Sequence, residues 1–220
     1  PRNCVTVLDT HDGIGIIDVA REGDQAGLLS DEAVDSLVET VHEKTGETSR
    51  SASGYAASNL DVYQVNSTFY DALGRDDVDY LLARAIQFFA PGTPQVYYVG
   101  LLAGTNDLEL VGKTGVGRDI NRHYYAPEEI RAAIDRPVVR SVMHLIRIRN
   151  GIPAFEGTFS MPECGDSELI LRWESPHCMA PLNVDLERRT ATIDCVDSDN
   201  RRRWTIGDGL LTAAESGMAT

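Results

Sequence analysis

Cysteine is scarce in this chain. Its 220 residues hold four, Cys4, Cys164, Cys178 and Cys195, with no C-x-x-C pair among them. The spacing fits no zinc-ligand pattern. One bridge among Cys164, Cys178 and Cys195 stays open, but reduced thiols packed as small hydrophobes are the expectation. Positive charge is short as well: 20 Lys and Arg face 34 Asp and Glu, a net charge of −14. Such a surface does not neutralise phosphates, so nucleic acid is not an expected partner. No apolar run approaches the roughly 20 residues of a membrane span. Pro1-Arg2-Asn3-Cys4 carries no apolar signal core, so no membrane partner and a cytoplasmic location are expected. Internal repeats, low-complexity segments and His/Asp/Glu clusters with metal spacing are also missing, and neither a metal nor a cofactor is expected. Gly112-Lys113-Thr114 invites a P-loop reading, but Asp107 stands where that motif needs its first glycine.

The rest is an ordinary soluble balance, 42% hydrophobic and 25% charged, which suffices for a buried core. Val5-Thr6-Val7-Leu8 is short, apolar and β-branched, and reads as a buried strand. It runs into Asp9-Thr10-His11-Asp12-Gly13-Ile14-Gly15, which sets His11 and Asp12 at the strand's C-terminal tip. Catalytic groups gather at that rim in parallel α/β barrels. A buried strand so near residue 1 lacks sheet neighbours ahead of it. The chain is therefore expected to be the later part of a larger enzyme.

A polar excursion covers 14–59. It contains a helix over 30–42, with Ser30 as N-cap, and a loop over 44–54. Excursions of that length are usually functional. Residues 63–70 read as a strand or the start of a helix. A helix over 77–89, a second buried strand over 93–100, a glycine-rich loop over 101–125 and helices on either side of Pro137 follow. From about Phe155 short alternating runs mark an antiparallel β domain, with a loose tail over 213–220. Arg201-Arg202-Arg203 reads as a solvated turn of that domain. His42, His144 and His177 stand alone and receive no function. Two strand–helix units followed by a β module suit the end of a (β/α)8 barrel. The edge of an open doubly wound sheet fits the spacing equally well.

The motifs add a resemblance. Leu8-Asp9-Thr10-His11-Asp12-Gly13-Ile14-Gly15 resembles the fourth signature region of glycoside hydrolase family 13, the α-amylase superfamily. Ala57-Ser58-Asn59-Leu60-Asp61-Val62-Tyr63-Gln64-Val65-Asn66 resembles the acceptor-site loop of its sucrose phosphorylase branch. Pro91 to Gly100 and Gly117-Arg118-Asp119-Ile120-Asn121-Arg122-His123-Tyr124 resemble the eighth barrel strand and the loop after it. The resemblance implies an α/β chain. It comprises barrel strands seven and eight with an inserted loop-helix subdomain, then a small antiparallel β domain. The expected divisions are 1–13, 14–74, 75–154 and 155–220.

It implies chemistry too. Retaining glycoside chemistry uses one carboxylate as nucleophile and one carboxylic acid to protonate the leaving oxygen. In this family those groups follow strands four and five, positions that this sequence does not include. Asp12 would be the third carboxylate, which stabilises the transition state by holding the sugar hydroxyls, and His11 would bind the same edge. Arg118 would contact the glucosyl unit and the carboxylates, holding a nucleophile ionised. Leu60, Asp61, Tyr63 and Gln64 would form the acceptor loop. Asp61 would hold the fructosyl hydroxyls and then withdraw, while Tyr63 helps receive phosphate. Arg122 and His123 would anchor their loop. Without the resemblance, Asp12 serves as well as a turn aspartate, His11 as a core histidine and Arg118 as a surface arginine paired with Asp119.

The expected partners are sucrose or a related glucoside and inorganic phosphate, with a homodimer left open. The expected activity is conversion of sucrose and phosphate to α-D-glucose 1-phosphate and fructose by double displacement. The alternatives are phosphorolysis of sucrose 6′-phosphate, glucosylglycerol or glucosylglycerate, a family 13 α-glucosidase or transglucosidase, or a non-catalytic module. The isolated 220 residues are expected to be inactive.

Overall fold

The computed structural model describes residues 3–16, 19–20, 25–55, 64–197 and 200–214. In chain order the elements are β1 (Val5–Val7), β2 (Ile14–Gly15), α1 (Asp31–Lys44), α2 (Thr48–Tyr55), β3 (Gln64–Val65), α3 (Phe69–Ala72), α4 (Asp77–Phe89), β4 (Thr93–Gln95) and α5 (Tyr98–Leu101). Then come α6 (Leu108–Thr114), a 3-10 turn (Gly117–Asn121), α7 (Pro127–Ile134), α8 (Pro137–Gly151) and a 3-10 turn (Pro153–Glu156). The chain ends in β5 (Thr158–Ser160), β6 (Glu168–Ser175), β7 (Cys178–Asp185), β8 (Thr190–Asp197), β9 (Asn200–Gly207) and β10 (Leu210–Ala213). It folds into two units that interleave in sequence, one of 1–8, 77–95 and 134–220, the other of 9–76 and 96–133. No helix among the described residues is long and apolar enough to cross a membrane.

The first unit joins a parallel strand pair, two long helices and a sheet. β1 pairs parallel with β4 in the register Val5↔Thr93, Thr6↔Pro94, Val7↔Gln95. Parallel strands need a covering crossover, and the buried side chains of α4 include Tyr80, Leu81, Leu82, Ala85, Phe88 and Phe89. Gln87 Nε2 on that helix donates to Thr6 O at 3.1 Å and Gln95 O at 2.8 Å, one carbonyl from each strand. Arg84 is fully buried, and its guanidinium donates to Tyr80 Oη and Gln87 Oε1. α8 starts at Pro137, where the missing N–H costs nothing, and buries Val138, Val139, Val142, Leu145 and Ile148.

β5 to β10 form one antiparallel meander in sequential order. Cys178, Ala180, Leu182 and Val184 alternate inward along β7, the period-2 signature of a one-sided sheet. Trp173 Nε1 donates to Phe89 O at 2.7 Å, tying this sheet to α4. The four cysteines are free thiols, and buried Cys178 and Cys195 have sulfurs 3.7 Å apart.

Several local readings change. The strand read over 93–100 stops at Gln95, and Tyr98–Leu101 is helical. Val5 and Val7 of β1 are 59% and 46% exposed rather than buried, because a two-stranded pair covers little of its own surface. The 101–125 loop contains α6, N-capped by Asp107 and ended at Gly115 in a left-handed conformation, φ 69°. Arg201-Arg202-Arg203 lies on β9, not in a turn. Arg203 faces Asp194 of β8 in register, and its guanidinium bonds that carboxylate at 2.8 and 2.9 Å.

In the second unit Ile16, Val41, Val65 and Ala72 form one buried cluster, with Ile14, Val34 and Val38 against it, and Tyr70, Val99, Leu102, Ala103 and Ile120 are buried as well. β2 and β3 pair antiparallel, Ile14↔Val65 and Gly15↔Gln64. The segment read as a 44–54 loop folds as α2. Hydroxyls hold it: Thr45 Oγ1 donates to His42 O at 2.8 Å, and Ser49 Oγ bonds His42 Nδ1 at 2.7 Å. Arg50 bridges Glu39 and Glu47 at 2.6 Å each. Asn106 makes three bonds to two segments: Oδ1 accepts from Thr68 N and its backbone N–H donates to Asp71 Oδ2, both at α3, while Nδ2 donates to Thr48 Oγ1 of α2.

Candidate functional site

The site lies in the second unit. Thr10 and Gly13 close a tight turn with His11 and Asp12 at its corners. Gly13 has φ +97°, and a Cβ there would come within 2.6 Å of Val65 O, so only glycine lets the turn lie this close to β3. The Asp12 N–H donates to Thr10 Oγ1 at 3.1 Å. His11 is 63% exposed, which removes the core-histidine reading, and its Nε2 lies 3.3 Å from Asp12 Oδ2.

The 3-10 turn after α6 supplies the counter-charge. Arg118 Nη1 donates to Asp12 Oδ1 at 3.2 Å, so Arg118 is not a surface arginine paired with Asp119. Arg122 joins it with Nη2 at 3.5 Å from the same oxygen. Arg122 also donates through Nε to His11 O at 2.9 Å and through Nη1 to Asp119 Oδ1 at 3.2 Å. Asn121 Nδ2 donates to Thr10 O, which ties the arginine turn to the aspartate turn a second time. Tyr97 holds the other side, its hydroxyl donating to Asn121 O at 3.0 Å. Burial, then the neighbouring Tyr98, push the Tyr97 phenol well up, so it stays a neutral donor. Asp12 keeps 34% of its side chain exposed, and its Oδ2 faces only the His11 ring among the described residues. A fixed carboxylate with one open oxygen, flanked by imidazole and guanidinium donors, suits a neutral polyhydroxylated ligand.

The remaining candidates divide. Leu60, Asp61 and Tyr63 lie outside the described residues. Gln64 starts β3 and is half-buried, and its Oε1 is buried with no donor among the described residues. Its neighbour Asn66 is fully buried, with both amide atoms unpartnered among the described residues. No group of three or more His, Cys, Asp or Glu among the described residues is placed to hold a metal. The motif marks Arg122 only as a loop anchor, whereas the structure also sets it on Asp12 and adds the Asn121–Thr10 bond. No spacing rule marks Arg122: Arg118 lies in the 3-10 turn and Arg122 just past its end at φ −129°, and residues four apart share a face only in an α-helix.

No family model matches the chain. A sucrose phosphorylase of Agrobacterium vitis is 57% identical over 194 residues, 88% of this chain and 40% of that protein. A sucrose phosphorylase of Bifidobacterium adolescentis is 53% identical over 191 residues, 86% of this chain and 38% of that protein. Among solved structures, the sucrose 6F-phosphate phosphorylase from Thermoanaerobacter thermosaccharolyticum matches with a TM-score of 0.76 at 38% identity. That match covers 97% of this chain and 40% of the other. The fold class is that of the α-amylase-type proteins, glycoside hydrolase family 13. Within it, the chain belongs to the sucrose phosphorylase family. It spans about 40% of the length of the curated relatives it matches.

Proposed function

We propose that these 220 residues form the C-terminal portion of a retaining glucosyl-transferring phosphorylase. The reaction would convert sucrose and inorganic phosphate to α-D-glucose 1-phosphate and fructose. The observation that carries this reading is the Asp12 carboxylate fixed by Arg118 and Arg122 in the turn that follows β1. β1 and β4 would be the seventh and eighth strands of a closed barrel, and the exposed faces of Val5 and Val7 would pack inside it.

The chemistry would run in two displacements. A carboxylate nucleophile attacks the anomeric carbon, and fructose leaves with a proton from a carboxylic acid. A phosphate oxygen then attacks the same carbon and displaces the carboxylate, so two inversions give retention. Both of those groups would come from outside this sequence. Asp12, with His11, would hold the glucosyl hydroxyls, and the bonds would tighten as the ring distorts toward the oxocarbenium ion. Arg118 and Arg122 fix Asp12, so its charge is in place before the reaction. Asp61, Tyr63, Leu60 and Gln64 would line the acceptor side.

The test is an assay of the full-length protein with sucrose and phosphate, following glucose 1-phosphate. Glucose 1-phosphate formed in step with fructose supports the reading. Free glucose without glucose 1-phosphate overturns it in favour of a hydrolase. One second reading has a specific observation behind it: the matched solved structure is a sucrose 6F-phosphate phosphorylase. Faster turnover of sucrose 6F-phosphate than of sucrose would select that substrate.

A further inference from the structure

The segment that carries Arg118 and Arg122 is flanked by two helices, and one histidine reaches both. His123 Nδ1 lies 2.6 Å from Asp107 Oδ2, and its Nε2 lies 3.2 Å from Glu129 Oε1. Ionised carboxylates only accept hydrogen bonds. Meeting both therefore takes a proton on each ring nitrogen, which makes the ring a cation.

Both partners are fixed by further bonds. Asp107 Oδ1 caps α6 by accepting from Leu110 N at 2.8 Å, and the Asp107 N–H donates to Ile120 O at 2.8 Å. Glu129 Oε2 accepts from Ala126 N at 2.6 Å at the start of α7. The Tyr125 ring stands edge-on to the imidazole at 4.5 Å, and Tyr98 Oη donates to His123 O at 2.8 Å. Lys113, bonded to Glu109, is the other charge acting on Asp107.

We propose that His123 is a positioning residue. As an imidazolium held between Asp107 and Glu129, it clamps residues 115–126 and so keeps Arg118 and Arg122 on Asp12. The substrate readout of this idea rests on the proposed phosphorylase function, whereas the clamp is a property of the unit alone. Burial disfavours the cation, but Asp107 and Glu129 outweigh it and raise the imidazole above its usual value of 6.5. A raised histidine contributes stability that is complete below 6.5 and lost as pH rises through the folded value. Deprotonation turns one ring nitrogen into a lone pair facing a carboxylate, and the clamp opens on that side.

The experiment uses the full-length protein that carries this chain. It combines ring-nitrogen NMR titration of His123 with amide hydrogen-exchange protection of residues 117–122 across pH. In the wild type, protection of 117–122 should fall as His123 deprotonates, at a pH above 6.5. Glu129→Gln keeps an acceptor for Ala126 N and removes one charge, so it should shift both the titration and the loss of protection to lower pH. His123→Phe keeps the ring against Tyr125, removes pH-dependence from 117–122, and should lower kcat/KM for the glucosyl donor about tenfold.

Three results would overturn the clamp: His123 titrating at or below the ordinary value, protection indifferent to that titration, or Glu129→Gln moving neither. If the wild type turns over sucrose and a folded His123→Phe turns it over as well, positioning of the arginines fails. A wild type with pH-linked protection but no glucosyl transfer keeps the clamp and removes the phosphorylase reading. Should His123→Phe fail to fold, Glu129→Gln decides.

Discussion

The β5–β10 sheet and the His11–Asp12 site hold their backbones by opposite means. In the sheet, the strand ladder supplies the hydrogen bonds, and side chains only choose a face: β7 turns Cys178, Ala180, Leu182 and Val184 inward. At the site, side chains replace the ladder. Asn121 holds Thr10 O, Arg122 holds His11 O, Tyr97 holds Asn121 O and Tyr98 holds His123 O. A ladder tolerates many sequences with the same alternation. A carbonyl held by one amide or one guanidinium does not. The first region should therefore fail in stability and the second in function.

Asp12→Asn tests that separation hardest. It should lower kcat/KM for glucosyl transfer by about a hundredfold to a thousandfold while leaving the denaturation midpoint in place. A loss under tenfold would remove Asp12 from the site. Leu182→Ala empties a fully buried position in the sheet. It should cost about 3 kcal/mol in urea unfolding with KM unchanged, and a KM shift would show that sheet and site are not separable. Asn121→Ala removes the donor to Thr10 O, worth about 1 kcal/mol. A several-fold rise in KM is expected, with only a small fall in melting temperature.

The smallest effect concerns acid. His42 is buried against Ser49, and desolvation first, then Arg50, holds its imidazole below 6.5. A lowered histidine penalises the fold as pH drops below that value. His42→Gln should flatten the acid limb of a stability-versus-pH curve, and an unchanged limb would refute the assignment. The sign is opposite to that of His123.

The same contrast explains what could be read ahead of the structure. α1, α4, α8 and the strands β5 to β8 announce themselves through apolar periodicity at 3.6 or 2 residues. α2 does not, because Thr45, Ser49 and Arg50 hold it and no apolar stripe marks it. α6 hides in a glycine-rich stretch, though Asp107 and Gly115 are its cap signals. β9 does not announce itself, because three consecutive arginines look solvated and their partner Asp194, in register with Arg203, lies on the neighbouring strand. His11, Asp12 and Arg118 were legible as parts of motifs, whereas the meeting of Asp12 with Arg118 and Arg122 joins residues more than a hundred positions apart. No local pattern records that.

Gln87 reads how β1 and β4 are aligned. Its carboxamide nitrogen has two hydrogens and satisfies two carbonyls, Thr6 O and Gln95 O, one on each strand. A slip of one residue would turn Val5 and Val7 to the opposite face. A slip of two restores the face but carries the carbonyl about 6.6 Å away, beyond the reach of one amide. Gln87 thus acts as a gauge of alignment: a misregistered pair leaves it half-satisfied beneath α4, and that error carries its own penalty during folding.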